Sequence, residues 1–482
     1  MTGTQSQKFY KDFLWYFAGS IIPAAIALFR VPVFTRYFTP EEYGYFTLVS
    51  STFTYISVVL YSWISSCLWR FYIEAKKNQT LNELYSNLFF LSATATIILF
   101  TIAFGWLFFA KTTIVFRLVG LSFFQLVTGQ ILSLYLIIVR IKERAFYYNL
   151  VHSIQAAGAF GILFLFAFGF KFGIESILIG QVIINLVLIL FVLFGIKAIP
   201  RISFSFVTKH SVRELITYGA VGLFTNLGVL LLISADRYII ALYADIGSVG
   251  IYNQVYMLGQ FSIYHLVTVF FNTINPRLVK LLSFRITDFQ EQIAGYIRLF
   301  IFIILPLTFY FSLFSKQIAD IMLGEKFRTG YTMIPYIMFS SFVFGLAQFN
   351  ESKLKFEGKY RSVITGVLVS SVLNIALNFF LIPVLGYQIA AVTTFFSYIC
   401  LFLFLYFGDN IRYFSLSLLS KIGPLLLILV IQGGLDSVLR LYFNLEIGTL
   451  LTVIEGILFL AMYFLIFRKQ MSRIFFLFTD NN

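Results

Sequence analysis

Seven ionisable side chains fall where a chain this apolar holds a charge only at a cost. Arg30 and Arg36 stand near the end of one apolar stretch, with Pro32 between them. Asp236 and Arg237 lie deep in another, Arg70 and Arg277 close two more, and Glu455 sits midway along the last. Within a bilayer each such charge costs roughly 2.5–3.5 kcal/mol, so each needs a reason. A guanidinium donates two parallel hydrogen bonds to an oxyanion, which makes arginine the residue for a phosphate-bearing ligand. On that reading Arg30, Arg36 and Arg237 hold an anionic group within a cavity, and Arg70 and Arg277 capture it at one rim. The structural readings are interfacial anchoring for Arg30, Arg36, Arg70 and Arg277, and an ion pair with an acid on another helix for Arg237. Asp236 adjoins Arg237, but neighbouring residues of a helix point apart, so the two need not pair. Asp236 and Glu455 are the candidates for coupling to an ion, since a desolvated carboxyl can change its protonation. Against this, Glu455 also reads as a neutral carboxyl bonded to a neighbouring helix, and Asp236 as a structural partner for an arginine.

The elements that must position these residues are long and apolar. Of 482 residues, 60% are hydrophobic and 12% charged, against about 25% charged in soluble domains. That excludes a soluble globular enzyme, a disordered regulator and a nucleic-acid-binding protein. A membrane-crossing helix needs about 20 apolar residues. Fourteen stretches qualify: 13–34, 45–69, 88–109, 114–139, 150–170, 175–196, 216–243, 249–275, 297–315, 332–350, 362–384, 388–407, 420–443 and 447–467. Gly433, Gly434, Asp436 and Arg440 interrupt the pattern near the end, so a count of twelve is the alternative. The expected fold is an all-α integral membrane protein without a sizeable extramembrane domain. Cys67 and Cys400 read as packing residues, and two Cys with three His cannot build a metal cluster. His265 reads as packed or cavity-lining. Asn374 with Asn378, and Gln181 with Asn185, lie one helical turn apart and read as interhelical hydrogen-bonding groups.

Fourteen crossings put both termini on one side. Assigning them to the cytoplasm places 25 of the 35 Lys and Arg residues on that side, with 11 of the 21 acids. The whole excess of +14 therefore sits on one face. This is the positive-inside pattern, and it explains the basic loops without nucleic acid.

The chain also repeats. YFTPEEYGY at 37–45 overlays YADIGSVGIY at 243–252, so Tyr37 matches Tyr243 and Gly44 matches Gly250, an offset of 206. Further on, Tyr147 matches Tyr360, Gly173 matches Gly386 and Glu175 matches Gln388, an offset of 213. The same offset of 206 carries Arg30 onto Asp236, one residue from Arg237, and Arg70 falls 207 residues before Arg277. The unit is six crossings, which divides the chain into an N-terminal lobe at 1–205, a C-terminal lobe at 206–412, and two further crossings with a tail at 413–482. Parallel repeats of this kind are related by an axis along the membrane normal, with the site between them.

Three stretches carry a resemblance: RVPVFTRYFTPEEYGYFTL, SADRYIIALYADIGSVGIYNQVYMLGQ and FEGKYRSVITGVLVSSVLNIALNFFLIPVLGYQIAAVTTFFSYI. They are similar to the Wzx-type polysaccharide-biosynthesis flippases of the multidrug/oligosaccharidyl-lipid/polysaccharide superfamily, over almost the whole chain. The resemblance implies two six-helix lobes around a cavity, plus two C-terminal helices. It implies transfer of an undecaprenyl-diphosphate-linked oligosaccharide between leaflets of the bacterial inner membrane by alternating access. Arg30, Arg36 and Arg237 look like the cationic cavity that would accept the diphosphate. No cofactor is implied beyond a coupling proton or sodium ion; partners would be the lipid-linked glycan, the bilayer, and downstream polymerase or export proteins. Three rivals stand beside this reading. An organic-cation antiporter of the same superfamily wants acids in its cavity. A peptidoglycan-precursor flippase would suit the arginines equally. A membrane polymerase or glycosyltransferase needs a reacting site, and Asp320, Glu325 and Lys326 on the longest outer loop form no recognisable catalytic set. The chain has no nucleotide-binding phosphate loop, so ATP hydrolysis is not expected.

Overall fold

The computed structural model describes residues 22–408 except Lys111, Glu143, 196–201 and 284–288, with scattered positions between 420 and 468. Glu455 and most of the two final apolar stretches lie outside the described residues. Every described element is helical. Each apolar stretch from 45–69 to 388–407 coincides with a helix or a broken helix. Among the described residues nine helical segments are long and apolar enough to cross a membrane, and Ile22–Phe34 and Ser176–Val192 are shorter apolar helices. In lipid a helix satisfies every backbone polar group within itself, and this composition leaves no other option.

The helices are α1 (Ile22–Phe34), α2 (Pro40–Ser57), α3 (Trp63–Lys77), α4 (Leu81–Phe109), α5 (Thr113–Ile141), α6 (Ala145–Phe164), α7 (Ser176–Gly195), α8 (Lys209–Ser234), α9 (Asp236–Tyr243), α10 (Ile246–Gly259), α11 (His265–Ser283), α12 (Phe289–Leu313), α13 (Ser315–Met322), α14 (Ile334–Phe356), α15 (Tyr360–Leu385) and α16 (Ile389–Phe407). One-turn π segments join α2 to α3 (Val58–Ser62) and α10 to α11 (Gln260–Tyr264), and extend α6 (Leu165–Gly169). Each inserts an extra residue and offsets the helical face beyond it.

The repeat is visible in local detail. The composite helix Pro40–Lys77 and its counterpart Ile246–Ser283 start 206 residues apart and end 206 residues apart. Each opens on a side-chain cap. Thr39 accepts from the Glu42 amide and Glu42 reaches back to the Thr39 amide, closing a capping box. At the equivalent positions the Asp245 carboxylate accepts from the Ser248 amide at 2.8 Å and from its hydroxyl at 2.9 Å.

Two compact units are distinguished by packing. The first comprises Met1–Arg30, Phe38–Ala241 and Asp245–Gly250; the second comprises Val31–Tyr37, Leu242–Ala244 and Ile251–Asn482. These boundaries differ from the repeat boundaries at 205 and 412, because α8 packs on α3 within the first unit. Gly219 lies against the Trp63 ring, and the Cys67 thiol meets the Leu215 carbonyl at 3.2 Å. One hydrophobic cluster of the first unit gathers Leu132, Leu136, Val151, Ile184 and Leu188 from α5, α6 and α7. Gly158 and Gly180 let α6 and α7 approach: a methyl at Gly158 would meet the Ile184 side chain, and one at Gly180 the Ala159 carbonyl. In the second unit Phe300 stacks on Phe342 with centroids 5.6 Å apart, and Phe271 meets Phe349 edge-on at 4.8 Å.

Candidate functional site

Arg30 points into a pocket of about 260 Å³ within the first unit, formed by α1, α5, α6 and α7. Its polar lining is Gln125, His152, Gln155, Gln181 and Asn185. The amides are held in place. Gln155 donates to the Asn185 side-chain oxygen at 2.8 Å, and Asn185 donates to the Thr128 hydroxyl at 3.3 Å. Among the described residues no carboxylate lines the pocket, and no acceptor takes a hydrogen bond from Arg30. A guanidinium with unspent donors, ringed by neutral amides, has the chemistry of an oxyanion site with polar contacts for hydroxyl-rich neighbours. Gln181 and Asn185 were expected only to bridge helices; Asn185 does so, and both also line this pocket.

Arg36 is exposed and belongs to the second unit. It donates to the Pro32 carbonyl at 2.6 Å and the Ile321 carbonyl at 2.8 Å, the latter at the C-terminus of α13. The same turn is clasped by Thr35, whose hydroxyl accepts from the Gly324 amide at 2.8 Å. A cation on the final carbonyls of a helix also meets the negative end of its dipole.

The expectation that Asp236 and Arg237 need not pair is corrected. The helix breaks at Ala235, and Asp236 opens α9 rather than continuing α8. At a helix start the side chain turns back over its own first turn. Asp236 accepts from the Arg237 amide at 2.8 Å and from its guanidinium at 3.1 Å, and both residues are buried. Arg237 also donates to the Ile233 carbonyl at 2.6 Å. A partner acid is therefore on the same segment.

Arg70 is half exposed, pairs with Glu74 at 3.4 Å and lies over the Phe71 ring at 5.4 Å. Arg277 lies on α11, and its side chain is outside the described set. Within its own surroundings each predicted arginine is held differently: Arg30 faces amides, Arg237 an acid, and Arg36 main-chain carbonyls.

The repeat also places polar pairs that sequence reasoning passed over. Arg117 at the start of α5 pairs with the buried Glu175 at 3.0 Å. At the matching place in the second unit Thr332 donates to Gln388 at 2.9 Å. A fully buried network joins Asn378 to Asn374 at 3.1 Å, Asn374 to Thr394 at 3.3 Å, and Thr393 to Asn378. Asn374 and Asn378 thus do bond across helices, as their spacing suggests.

The model of one family, described as polysaccharide biosynthesis protein, matches residues 9–282, more than half of the chain. The chain belongs to the polysaccharide biosynthesis protein family. It is accordingly a multi-pass membrane protein of the multidrug/oligosaccharidyl-lipid/polysaccharide flippase superfamily. No curated protein sequence matches it. Among solved structures, "Lipid II flippase MurJ, inward closed conformation" aligns with a TM-score of 0.77 at 16% identity, over 95% of this chain and all of that one. A multidrug resistance MATE family transporter in an inward-facing conformation aligns at 0.61 and 15% identity, over 81% of this chain and 94% of that one. The Vibrio cholerae MATE transporter VcmN aligns at 0.56 and 15% identity, over 86% of this chain and all of that one. At such identities these likenesses establish the fold that family members share, with its two pseudo-symmetric halves. The family, together with this fold, fits a membrane flippase or transporter.

His152 and Gln125 are pocket residues that sequence reading missed. Gln125, Gln155 and Gln181 stand 30 and 26 residues apart, a spacing set by helix lengths and loops and not by any motif. Only their shared polarity within apolar helices was available as a signal.

Proposed function

We propose that this chain moves a lipid-linked oligosaccharide, carried on undecaprenyl diphosphate, from the cytoplasmic to the periplasmic leaflet of the bacterial inner membrane by alternating access. Both termini lie in the cytoplasm, as the Lys and Arg distribution favours. The observation that carries the reading is Arg30: an arginine within an apolar helix, in a pocket whose described polar lining is four amides and His152, without an acid. An oxyanion is the ligand that such a guanidinium would select, and the neutral amides suit the sugar beside it. The same pocket argues against organic-cation cargo, which Arg30 would repel. Arg36 and Arg237 support the surroundings of the diphosphate, and Arg70 and Arg277 its approach. A proton or sodium gradient supplies the energy, with Asp236 and Glu455 as the candidate carboxyls.

The test is the leaflet distribution of isoprenoid-linked oligosaccharide in a deletion strain, with surface polysaccharide scored alongside. Accumulation on the cytoplasmic leaflet and loss of surface polymer, rescued by the wild-type chain and not by an equally expressed Arg30→Gln, is the expected result. Normal leaflet distribution in the deletion strain overturns the reading.

A further inference from the structure

Beside the Arg30 pocket lies a second one, of about 220 Å³, that no motif announced. Its lining includes Trp69, Gly129, Ser133, Arg140 and Tyr148, and it shares His152 and Gln155 with the pocket of Arg30. Both pockets lie within the first unit. The shared residues make them neighbours along one face of two helices. On α5 the lining residues Gln125, Gly129, Ser133 and Arg140 fall on one stripe, and on α6 so do Tyr148, His152, Ala156 and Ala159. From Gln125 to Arg140 is fifteen residues, roughly 22 Å of helix. Gly129 sits at the junction: a methyl there would lie 3.7 Å from the Asn185 amide and 3.9 Å from the Gln125 amide, both in the Arg30 pocket.

Arg140 is oriented by aromatic rings. Its guanidinium lies 5.6 Å from the Trp69 ring centre and 5.7 Å from that of Tyr148. A cation over a ring is held by the ring's quadrupole, which takes no hydrogen bond from its N–H groups. Among the described residues no acceptor takes a hydrogen bond from Arg140, and no carboxylate lines its pocket. The arrangement at Arg30 recurs here with a different means of holding the arginine.

We propose that the two pockets form one polar track through the first unit, with an oxyanion-binding arginine at each end and Gly129 as its narrowest point. Arg140 is the receiving site. It closes α5 beside a loop that the charge distribution assigns to the cytoplasm, where an anionic group of the cargo would first arrive. The oxyanion belongs either to a phosphate of the lipid carrier or to the carboxylate of an acidic sugar; both present the same paired oxygens to the fork. This rests on the flippase reading only in treating the anion as part of the cargo.

The full chain, purified in detergent micelles, is titrated by calorimetry with inorganic diphosphate, with glucuronate and with glucose. Saturable binding of diphosphate or glucuronate, but not glucose, is expected; the tighter of the two names the source of the oxyanion. Arg140→Gln weakens that binding at least tenfold. Gly129→Leu plugs the track and abolishes access to Arg30, whereas Gly129→Ala stays within twofold of wild type. Lys355→Gln, which removes a charge from a surface ion pair in the second unit, leaves the isotherm unchanged. If Arg140→Gln does not elute as a monodisperse protein, the Gly129 pair decides alone. Binding of neither anion, equal binding of glucose, or superimposable isotherms for wild type and the Arg140 and Gly129→Leu variants overturns the proposal. Binding is read without transport, so it can fail where the leaflet experiment succeeds, and the reverse.

Discussion

Gly44 and Gly250 meet where α2 crosses α10, and each is held by the residue that opens the other's helix. A Cβ at Gly44 would strike the Ile246 carbonyl, and one at Gly250 would strike the Pro40 carbonyl and come within 3.0 Å of the Gly44 amide nitrogen. Pro40 and Ile246 are 206 residues apart, as are the two glycines. Reciprocal contacts of this form, i with j′ and j with i′, are the mark of a local two-fold axis. The internal repeat is therefore more than an echo of sequence: the two copies touch through equivalent residues.

The obstacle at both glycines is a main-chain carbonyl, which cannot rotate away as a side chain can. Gly44→Ala and Gly250→Ala should each destabilise the chain by about 1–3 kcal/mol, the usual range for overpacking. Gly105→Ala on α4, where nothing lies within 4 Å of the added methyl, should be neutral or mildly stabilising. Thermal unfolding of the purified protein in detergent reads all three. Equal midpoints would mean that the crossing relaxes freely.

The Arg117–Glu175 pair predicts an asymmetry between partners. Glu175 is buried while Arg117 is well exposed. Removing Arg117 strands a buried carboxylate and should cost about 1–3 kcal/mol. Glu175→Gln, which imitates Gln388 in the other half, should cost less than Arg117→Ala. A double-mutant cycle on the pair should return a coupling of at least about 0.5 kcal/mol; additive losses would show that the contact is incidental.

Asp245 gives a dependence on pH. The Ser248 amide and hydroxyl hold its carboxyl below the usual carboxylate range. A group depressed by folding adds stability above its unfolded pKa, about 3.9, and loses it as pH falls through the lower folded value. Asp245→Asn keeps the cap but not the charge. Wild type should therefore melt above Asp245→Asn at neutral pH, and the gap should close below about pH 4. A gap that stays constant down to pH 3 would remove the charge from the account.

The buried amide network on α15 and α16 should be unforgiving. Asn378→Leu takes a donor from the buried Asn374 side-chain oxygen and leaves the Thr393 hydroxyl only the Ala390 carbonyl, at about 1–3 kcal/mol. Replacing Asn378 and Thr393 together by Leu and Val should cost less than the two single losses added. Melting temperatures of the three variants check this.

The crossings, the repeat and the unusual arginines were legible because hydrophobic length and charge are properties of single stretches. Packing is not. The offset of 206 aligned Arg30 with Asp236, but could not tell that α8 would end at Ser234. That one break turns Asp236 back over Arg237 and makes neighbours into partners. Nor could it tell that Arg30 would face three glutamines from three helices, or that Arg140, counted as one more basic loop residue, would lie between two rings. The lobe boundary at 205 follows the repeat faithfully, yet α8 packs with the helices before it. Each of these depends on which helix stands beside which, and a membrane helix presents apolar residues on all sides.

Arg30 and Arg237 also differ in what an electric field does to them. The Asp236–Arg237 couple is neutral, so a voltage across the bilayer exerts no net force on it. Among the described residues Arg30 has no carboxylate partner. Every elementary charge carried through the full field is worth about 2.3 kcal/mol per 100 mV, and a partial displacement takes its share. On the proposed function, an empty protein rearranging around Arg30 would move a net positive charge, and the same protein with a diphosphate seated there a net negative one. Membrane voltage would then favour one orientation when the pocket is vacant and the opposite when it is filled, and so would set a direction for the cycle without acting on any coupling ion.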